Sequence, residues 1–474
     1  MKAGLAWLGA AALLLGACAL GPDYRRPALD VPKDYQWQLP QDAAAEFGDR
    51  DWWALYRDPM LQRALDIALE RNLDVRIAAT RIEQARAMLG ATRLQYWPQL
   101  SLGAQAERSK TSSYTQLLPE QPRLGTIYDA SIDASYELDI WGRLRRLNEA
   151  ARADMLASVY AQRSVVVGLI ADVATAYFTL ISLDEQLAVT RSTVATRRKF
   201  VELTRAKHDR GVVSGLDVST AEAELATAQA NIPDLERQIG QTEDQLSVLL
   251  GHNPGPIRRA HHFGDSPPLP PAPPAGLPSS LLERRPDILR AEQQLRAANA
   301  RVGAAKAALF PTLSLTGSYG GQSLELSKLF SGPANTWLAG AGVTLPLLDA
   351  GNSLYQLDLA DATKREALLS YEQSVLNALK EVSDALIARQ KYVEFQQAQA
   401  AKVDALRRAN AIALARYQVG YASYFDVINS DRDLFNAQLD LAAAYLNSQL
   451  ANVRLYQALG GGWRIQEGGR APGS

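Results

Sequence analysis

Glu70 to Leu102 reads ERNLDVRIAATRIEQARAMLGATRLQYWPQLSL, and Glu283 to Leu315 reads ERRPDILRAEQQLRAANARVGAAKAALFPTLSL. Aligned without gaps, the two stretches match at Glu70/Glu283, Arg71/Arg284, Asp74/Asp287, Gly90/Gly303 and Pro98/Pro311, and both close on Leu-Ser-Leu. Internal repetition on this scale marks a duplicated structural unit. A second correspondence lies downstream, where Gly211, Ser214, Asp217, Val218 and Leu225 pair with Gly420, Ser423, Asp426, Val427 and Leu434. Each half is therefore predicted to run helix, two strands, long helix, sharp turn, helix. Pro98 and Pro311 stand where a helix hands over to a strand, because proline ends helices. Between the halves, Ser266 to Pro278 is SPPLPPAPPAGLP, an extended polyproline linker.

Two stretches are helical far beyond globular lengths. Asn352 to Val419 holds neither Gly nor Pro, and Arg143 to Arg210 holds only Gly168. A helix of ~67 residues is on the order of 100 Å long, which implies a coiled-coil assembly. Val166, Val173, Leu180, Leu187, Val194 and Val201 recur at heptad spacing, as do Leu368, Val375 and Val382, and a supercoiled seam requires that spacing.

The strands carry the third signal. Tyr128, Ala130, Ile132, Ala134, Tyr136, Leu138 and Ile140 alternate with Asp129, Ser131, Asp133, Ser135, Glu137 and Asp139. One face is apolar with tyrosines towards its ends. The other is polar and acidic, with Asp129, Asp133 and Glu137 facing water. This is the alternation of a transmembrane β-strand between lipid and lumen, and a half-buried soluble sheet alternates similarly. Leu100, Leu102, Ala104 and Ala106 repeat the pattern, as do Leu313, Leu315 and Tyr319, and then Trp337, Ala339, Ala341, Val343 and Leu345. Four strands cannot close a barrel, since the smallest membrane barrels have about eight, and an open edge is excluded from lipid. Three copies sharing one barrel give twelve.

Composition and the N-terminus narrow the setting. A formal net charge of -1 without a long basic block argues against a nucleic-acid partner. Lys2, the apolar run Leu5 to Leu15 and the sequence Leu15-Gly16-Ala17-Cys18 read as a processing signal. It resembles a bacterial lipoprotein signal, with cleavage leaving Cys18 as the acylated N-terminus, carrying diacylglycerol and palmitate. Cys18 is the only cysteine, so no disulfide forms within one chain. Ala19 follows where an inner-membrane lipoprotein carries Asp, which points to the outer membrane. No run of about 20 apolar residues follows the signal, so no transmembrane helix is expected. His208, His252, His261 and His262 stand without ligand-spaced partners, so no metal is expected. No hydrolase, Walker or dinucleotide motif occurs, so neither a catalytic residue nor a cofactor is expected, and the chain does not read as an enzyme.

With these features in place, the sequence resembles the TolC-like outer membrane factors, specifically the lipoprotein branch serving RND-type multidrug and metal efflux pumps. The strings YELDIWGRLRR (Tyr136 to Arg146), AGLPSSLLERRPDI (ending at Ile288), AANARVGAAKAALFPTLSLT (Ala297 to Thr316) and LYQALGGGW (Leu455 to Trp463) carry the resemblance. It implies an α+β membrane protein: a homotrimer with a 12-stranded β-barrel in the outer membrane, continued by a long α-helical coiled-coil barrel across the periplasm. A periplasmic membrane-fusion adaptor and an inner-membrane RND-type pump are the implied partners, with drugs, metal ions or other small molecules as cargo. The expected division is a signal peptide over 1–17, a lipid-anchored equatorial segment over 18–57 and a first repeat over 58–251. A Pro-rich linker over 252–282, a second repeat over 283–460 and a tail over 461–474 complete it.

The resemblance also places a periplasmic gate at the two turns, Gly211 to Asp217 and Gly420 to Asp426. Phe425 and Asp426 match positions facing the constricted lumen, and Asn429 replaces a usual second Asp. Three Asp426 carboxylates near one axis attract cations. Alternatively each turn Asp caps the helix that follows it, and the two roles are compatible. Asp217 and Tyr417 match positions that hold the gate shut through a shared hydrogen bond. A third gate position, normally Arg, is Ala422, leaving Arg416 or Arg210 to substitute. The rival to a channel is a lipid-anchored coiled-coil scaffold without a pore.

Overall fold

The computed structural model describes residues 19–35, 37, 56–110, 112, 114, 124–259, 278–347, 349 and 351–461. The expected signal peptide, Cys18, the Pro-rich core of the linker with His261 and His262, and the tail beyond 461 lie outside the described residues. The described chain forms α1 (Pro59–Arg71), α2 (Leu73–Leu94), β1 (Gln99–Lys110), β2 (Leu124–Leu138), α3 (Arg143–Asp209) and α4 (Gly215–Leu249). The order then repeats as α5 (Leu281–Arg284), α6 (Pro286–Ala307), β3 (Thr312–Ser323), β4 (Asn335–Thr344), α7 (Asn352–Gln418) and α8 (Tyr424–Ala458). In three helix pairs the duplication holds to the residue: α2 and α6 have 22 residues each, α3 and α7 have 67, and α4 and α8 have 35.

These elements divide between two compact units. One contains the sheet together with 81–159 and 290–372, and the other is helical, with 160–289 and 373 onward. In the first, the four strands form one antiparallel sheet in the order β1-β2-β3-β4, so β1 and β4 are both edges. The register puts Leu102, Ile132, Tyr319 and Trp337 in one row across all four strands. They are 82, 52, 61 and 73% exposed. The neighbouring row, on the opposite face, is Ser101, Asp133, Ser318 and Leu338. The expected alternation is therefore observed, with corrections at the ends. β2 starts four residues before Tyr128 and stops at Leu138, and Leu345 lies past β4. Asp139 leaves the strand because it starts the next helix, its carboxylate accepting from the Leu144 and Arg145 amides at 3.0 and 2.9 Å.

In the helical unit, Asp58 caps α1 by accepting from the amides of Met60 and Leu61 and also accepts from Tyr177 Oη at 2.7 Å. Leu61, Leu65, Ile170, Val173, Tyr177, Leu180, Leu246 and Val453 build the core. The heptad positions Val166, Val173, Leu180, Leu187, Val194 and Val201 are all buried, as a seam requires. Around them, α3 contains a window of mean hydropathy 1.9 that is long and apolar enough to cross a membrane, contrary to the expectation from sequence. Because 61% of that window is buried within this chain, its apolar content serves the core. The ERRPD string also gains a reason. Buried Arg285 pairs with Asp287 and Glu381 at 2.6 Å each and donates to the Ala458 carbonyl at 2.9 Å, closing the end of α8. Burial pushes the Asp287 carboxyl up, but the Arg285 hydrogen bonds and charge outweigh it and hold it below the usual range.

Candidate functional site

The two turns are built alike. At the end of α3, Gly211 adopts φ 72, and the amides of Gly211 and Val212 donate to His208 and Lys207 carbonyls at 2.7 and 2.9 Å. At the end of α7, Gly420 adopts φ 83, and the amides of Gly420 and Tyr421 donate to Tyr417 and Arg416 carbonyls at 3.2 and 2.8 Å. Left-handed glycines closing helices in this way are Schellman caps. Ser214 and Ser423 then open α4 and α8 with capping boxes: each Ser Oγ accepts from the Asp amide, and Asp217 or Asp426 accepts from the Ser amide at 2.9 or 3.0 Å. The repeated Gly-x-x-Ser-x-x-Asp spacing thus encodes stop, cap and restart.

Both turn aspartates are therefore caps. The Ser423 hydroxyl, then the Ser423 amide, hold Asp426 below the usual carboxylate range, and Arg416 adds to this. Phe425 is exposed beside Asp426, as are Val212, Leu216 and Tyr421 at the same turns. Asn429, half-buried, accepts from Arg432 Nη2 at 3.0 Å. The expected Asp217–Tyr417 bond is not formed within the chain, because Asp217 is engaged by Ser214 and Tyr417 points into a core. The Tyr417 hydroxyl is buried without a hydrogen-bond partner. Its ring lies 4.0 Å below the Lys207 ammonium and 5.9 and 5.8 Å from the rings of Phe200 and Tyr424. Burial pushes the Tyr424 phenol well up.

Next to this cluster stands a residue that sequence reasoning passed over. Arg197, 5% exposed, pairs with Glu224 of α4 at 3.0 Å and with Asp431 of α8 at 2.7 Å. It also donates to the Glu224 carbonyl at 2.7 Å and stacks 5.2 Å from the Phe435 ring. One guanidinium thus ties the α3/α4 hairpin to α8. The signal was available: Arg197 lies three residues past Val194, on the second stripe of the heptad seam.

In the sheet unit, Asp129, Asp133 and Glu137 share the polar face by alternation. Asp133 accepts from Ser131 Oγ at 3.0 Å, and the register sets Asp129 between Gln105 and Gln322. Glu137 is not a free charge, since Arg143 at the start of α3 clamps it at 2.9 and 2.6 Å. Among the described residues no group of three or more His, Cys, Asp or Glu could hold a metal.

The residues after Cys18 are firmly held. The Leu20 amide donates to the Trp141 carbonyl at 3.0 Å. Arg146 donates to the carbonyls of Leu20 and Gly21 and pairs with Asp23 at 2.8 Å. Asn299 donates to the Pro22 carbonyl at 2.8 Å. Gly21 has φ 97, and a Cβ there would stand 2.4 Å from the Gly303 Cα. That contact explains Gly303, whereas its repeat partner Gly90 faces open space. Trp141, which ends this pinning site, donates through Nε1 to the Pro311 carbonyl at 2.8 Å and packs on Phe310.

Comparison with known proteins places these features. The profile of the outer membrane efflux protein family matches residues 64–252 and 277–461, one segment for each half. A probable efflux pump outer membrane protein of Pseudomonas putida, TtgC, is 35% identical over 99% of this chain and 97% of its own length. A solvent efflux pump outer membrane protein of the same species, SrpC, is 37% identical over 96% of this chain and 98% of its own. The structure of the outer-membrane channel OprN matches with a TM-score of 0.87 at 30% identity, covering 94% of this chain and 100% of that one.

Proposed function

We propose a scheme that proceeds from one premise: the chain belongs to the outer membrane efflux protein family. It is an outer-membrane exit channel of an efflux pump, reaching into the periplasm. Three chains close the barrel, and the observation that carries this is the sheet. Its β1 and β4 edges are both open, one face bears a row of large apolar side chains, and the other is acidic. An open edge is not tolerated in lipid, so neighbouring chains pair β1 with β4 and bring Asp129 and Asp133 around a common lumen. The chain performs no chemistry on its cargo. A periplasmic adaptor and an inner-membrane pump of the RND type deliver small molecules, and the barrel conducts them passively. Purified protein should run as a trimer and give steady conductance in planar bilayers. A trimer without conductance would favour the pore-less scaffold.

The lipid anchor at Cys18 fits the pinned N-terminus. Ala19 packs against Gly142, just past the end of β2, where the apolar face of the sheet stops. An acyl group on the preceding residue reaches the membrane at the helix-side rim of the barrel. Cys18→Ala should abolish incorporation of radioactive palmitate, while the barrel, which buries its own apolar band, still inserts. Palmitate on the Cys18→Ala protein would remove the anchor from the scheme.

At the gate, Asp426 and Phe425 line the narrow periplasmic end. Asp426→Asn retains an oxygen that accepts from the Ser423 amide but loses the charge, so cation selectivity should fall without opening the channel. Because Ser423 lowers the Asp426 pKa, its charge persists as pH drops and is lost only below the ordinary carboxylate range. Its cap contribution, likewise, is present above the unfolded pKa and disappears as pH falls through the lower folded one. Ser423→Ala should move the loss of selectivity to higher pH. Reversal potentials measured across a pH series decide it, and identical series for wild type and Ser423→Ala would refute the assignment.

A further inference from the structure

The β3–β4 loop, 324–334, does not extend away from the sheet. It folds back over the apolar face, which the scheme above assigns to lipid. The Leu329 carbonyl lies where a Cβ on Gly321 would be, 2.3 Å away, and Gly321 shares that face with Ala130 and Tyr319. Asn335 Nδ2 fastens the loop by donating to Tyr319 Oη at 2.8 Å. Inside the loop, two 3-10 turns, Leu326–Lys328 and Gly332–Ala334, satisfy their own backbone: the amides of Lys328, Leu329, Ser331 and Ala334 donate to carbonyls three residues earlier. Backbone bonded internally is what a segment needs in a medium without water. Leu324, Leu326 and Phe330 remain exposed around it.

Between loop and sheet lies a groove of about 350 Å³, lined on the apolar face by Leu102, Ala130, Ile132 and Tyr319 and on the loop side by Leu329 and Phe330. The same face turns basic further along β1. Arg108 and Lys110 share it with Leu102, Ala104 and Ala106, in register with Thr126 and Leu124. From Leu138 to Tyr128 the apolar face spans about 33 Å of strand, and a strand tilted by ~40° turns this into the ~25 Å band of a barrel. Arg108 stands two residue pairs beyond the Tyr128 row, at headgroup level on the loop side, away from the helices. Both cations are exposed and have no ion pair among the described residues, whereas Lys328 is paired with Glu325.

We propose that this face is a binding site for a phosphorylated glycolipid of the outer leaflet, with an acyl chain under the β3–β4 loop and its phosphates on Arg108 and Lys110. The occupant follows from charge and depth together. Two cations at headgroup level without an ion pair among the described residues call for an anionic head, and the apolar groove about 13 Å down the strand from Arg108 calls for a chain attached to it. The inference rests on the barrel reading for its sidedness.

The test uses detergent-solubilised, delipidated full-length trimer and native mass spectrometry. The probes are bisphosphorylated lipid A, its dephosphorylated form, phosphatidylglycerol and inorganic phosphate. Wild type should retain lipid A and none of the other three comparably. A basic residue at an anionic membrane surface contributes about a five-fold effect, so Arg108→Glu with Lys110→Glu should lower retention at least ~20-fold. Gly321→Val, which displaces the loop but keeps both cations, should also lower it. Lipid A retention unchanged in the double variant at intact trimer level would overturn the site. So would phosphatidylglycerol binding as well as lipid A, inorganic phosphate competing it away, or loss appearing only where the trimer itself is lost. Conductance of wild type in bilayers free of glycolipid is recorded in parallel. Its absence would count against the channel, while lipid retention reports on the site alone.

Discussion

Ile132→Arg should prevent assembly of the outer-membrane trimer, while Asp133→Arg, one residue away, should leave trimers whose cation preference is reduced or reversed. Ile132 is 52% exposed in the row Leu102, Ile132, Tyr319 and Trp337, and in the proposed barrel its side chain meets lipid near the middle of the apolar band. An arginine at that depth costs about 2–4 kcal/mol per strand, and threefold symmetry applies the cost three times. Asp133 points to the other face, where its partner is the Ser131 hydroxyl and water is available. Placing three cations around one lumen repels cations without disturbing the lipid contact. Heat-stable trimer on gels and reversal potentials in bilayers are the measurements. Equal loss of trimer from both substitutions would mean that the strand faces are assigned the wrong way round.

The second large effect is expected at Arg197. Arg197→Ala leaves Glu224 and Asp431 facing each other across the hairpins, with side chains only 22 and 23% exposed. Removing one partner of a buried ion pair costs about 3–5 kcal/mol, and partial exposure of the two acids brings this to about 2–4 kcal/mol here. The loss falls between the α3/α4 hairpin and α8, near the turns proposed as the gate, so the hairpins should separate more readily. Single-channel conductance and entry of large antibiotics should rise, and the thermal midpoint should fall. The neutral combination Arg197→Met, Glu224→Gln, Asp431→Asn should recover part of the stability, because no uncompensated charge remains. An Arg197→Ala channel with wild-type midpoint and conductance would show that the hairpins are held elsewhere.

Much of this architecture is legible in the sequence. Internal repetition set out the order of the elements, the Gly- and Pro-poor stretches set the lengths of α3 and α7, heptad spacing identified the buried line of α3, and alternation identified both sheet faces. These are local signals, repeated at the period of the element that carries them. Features that depend on distant partners were not legible. Tyr417 was expected to bond Asp217 across the turns, yet Asp217 has a nearer donor in Ser214, and the phenol turns inward to Phe200 and Tyr424. Glu137 read as a free luminal charge because Arg143 belongs to the next element. The folding back of the β3–β4 loop depends on Gly321 and Leu329 meeting, and no periodicity encodes such a meeting. The apolar window of α3 was not picked out as a run, and the structure places it in the packed centre of the helical unit.

The pinned N-terminal segment has a consequence for how the channel is made. Leu20 through Arg26 is held by Trp141, Arg146, Asn299 and Glu292, so the two halves of the chain are both gripped within a few residues of the attachment point. If Cys18 carries the proposed acyl group, a chain tethered there is confined to the bilayer surface before its strands pair. Strands from three such chains then meet by diffusion in a plane, and the slow step of barrel closure becomes a two-dimensional search rather than an encounter in the bulk periplasm.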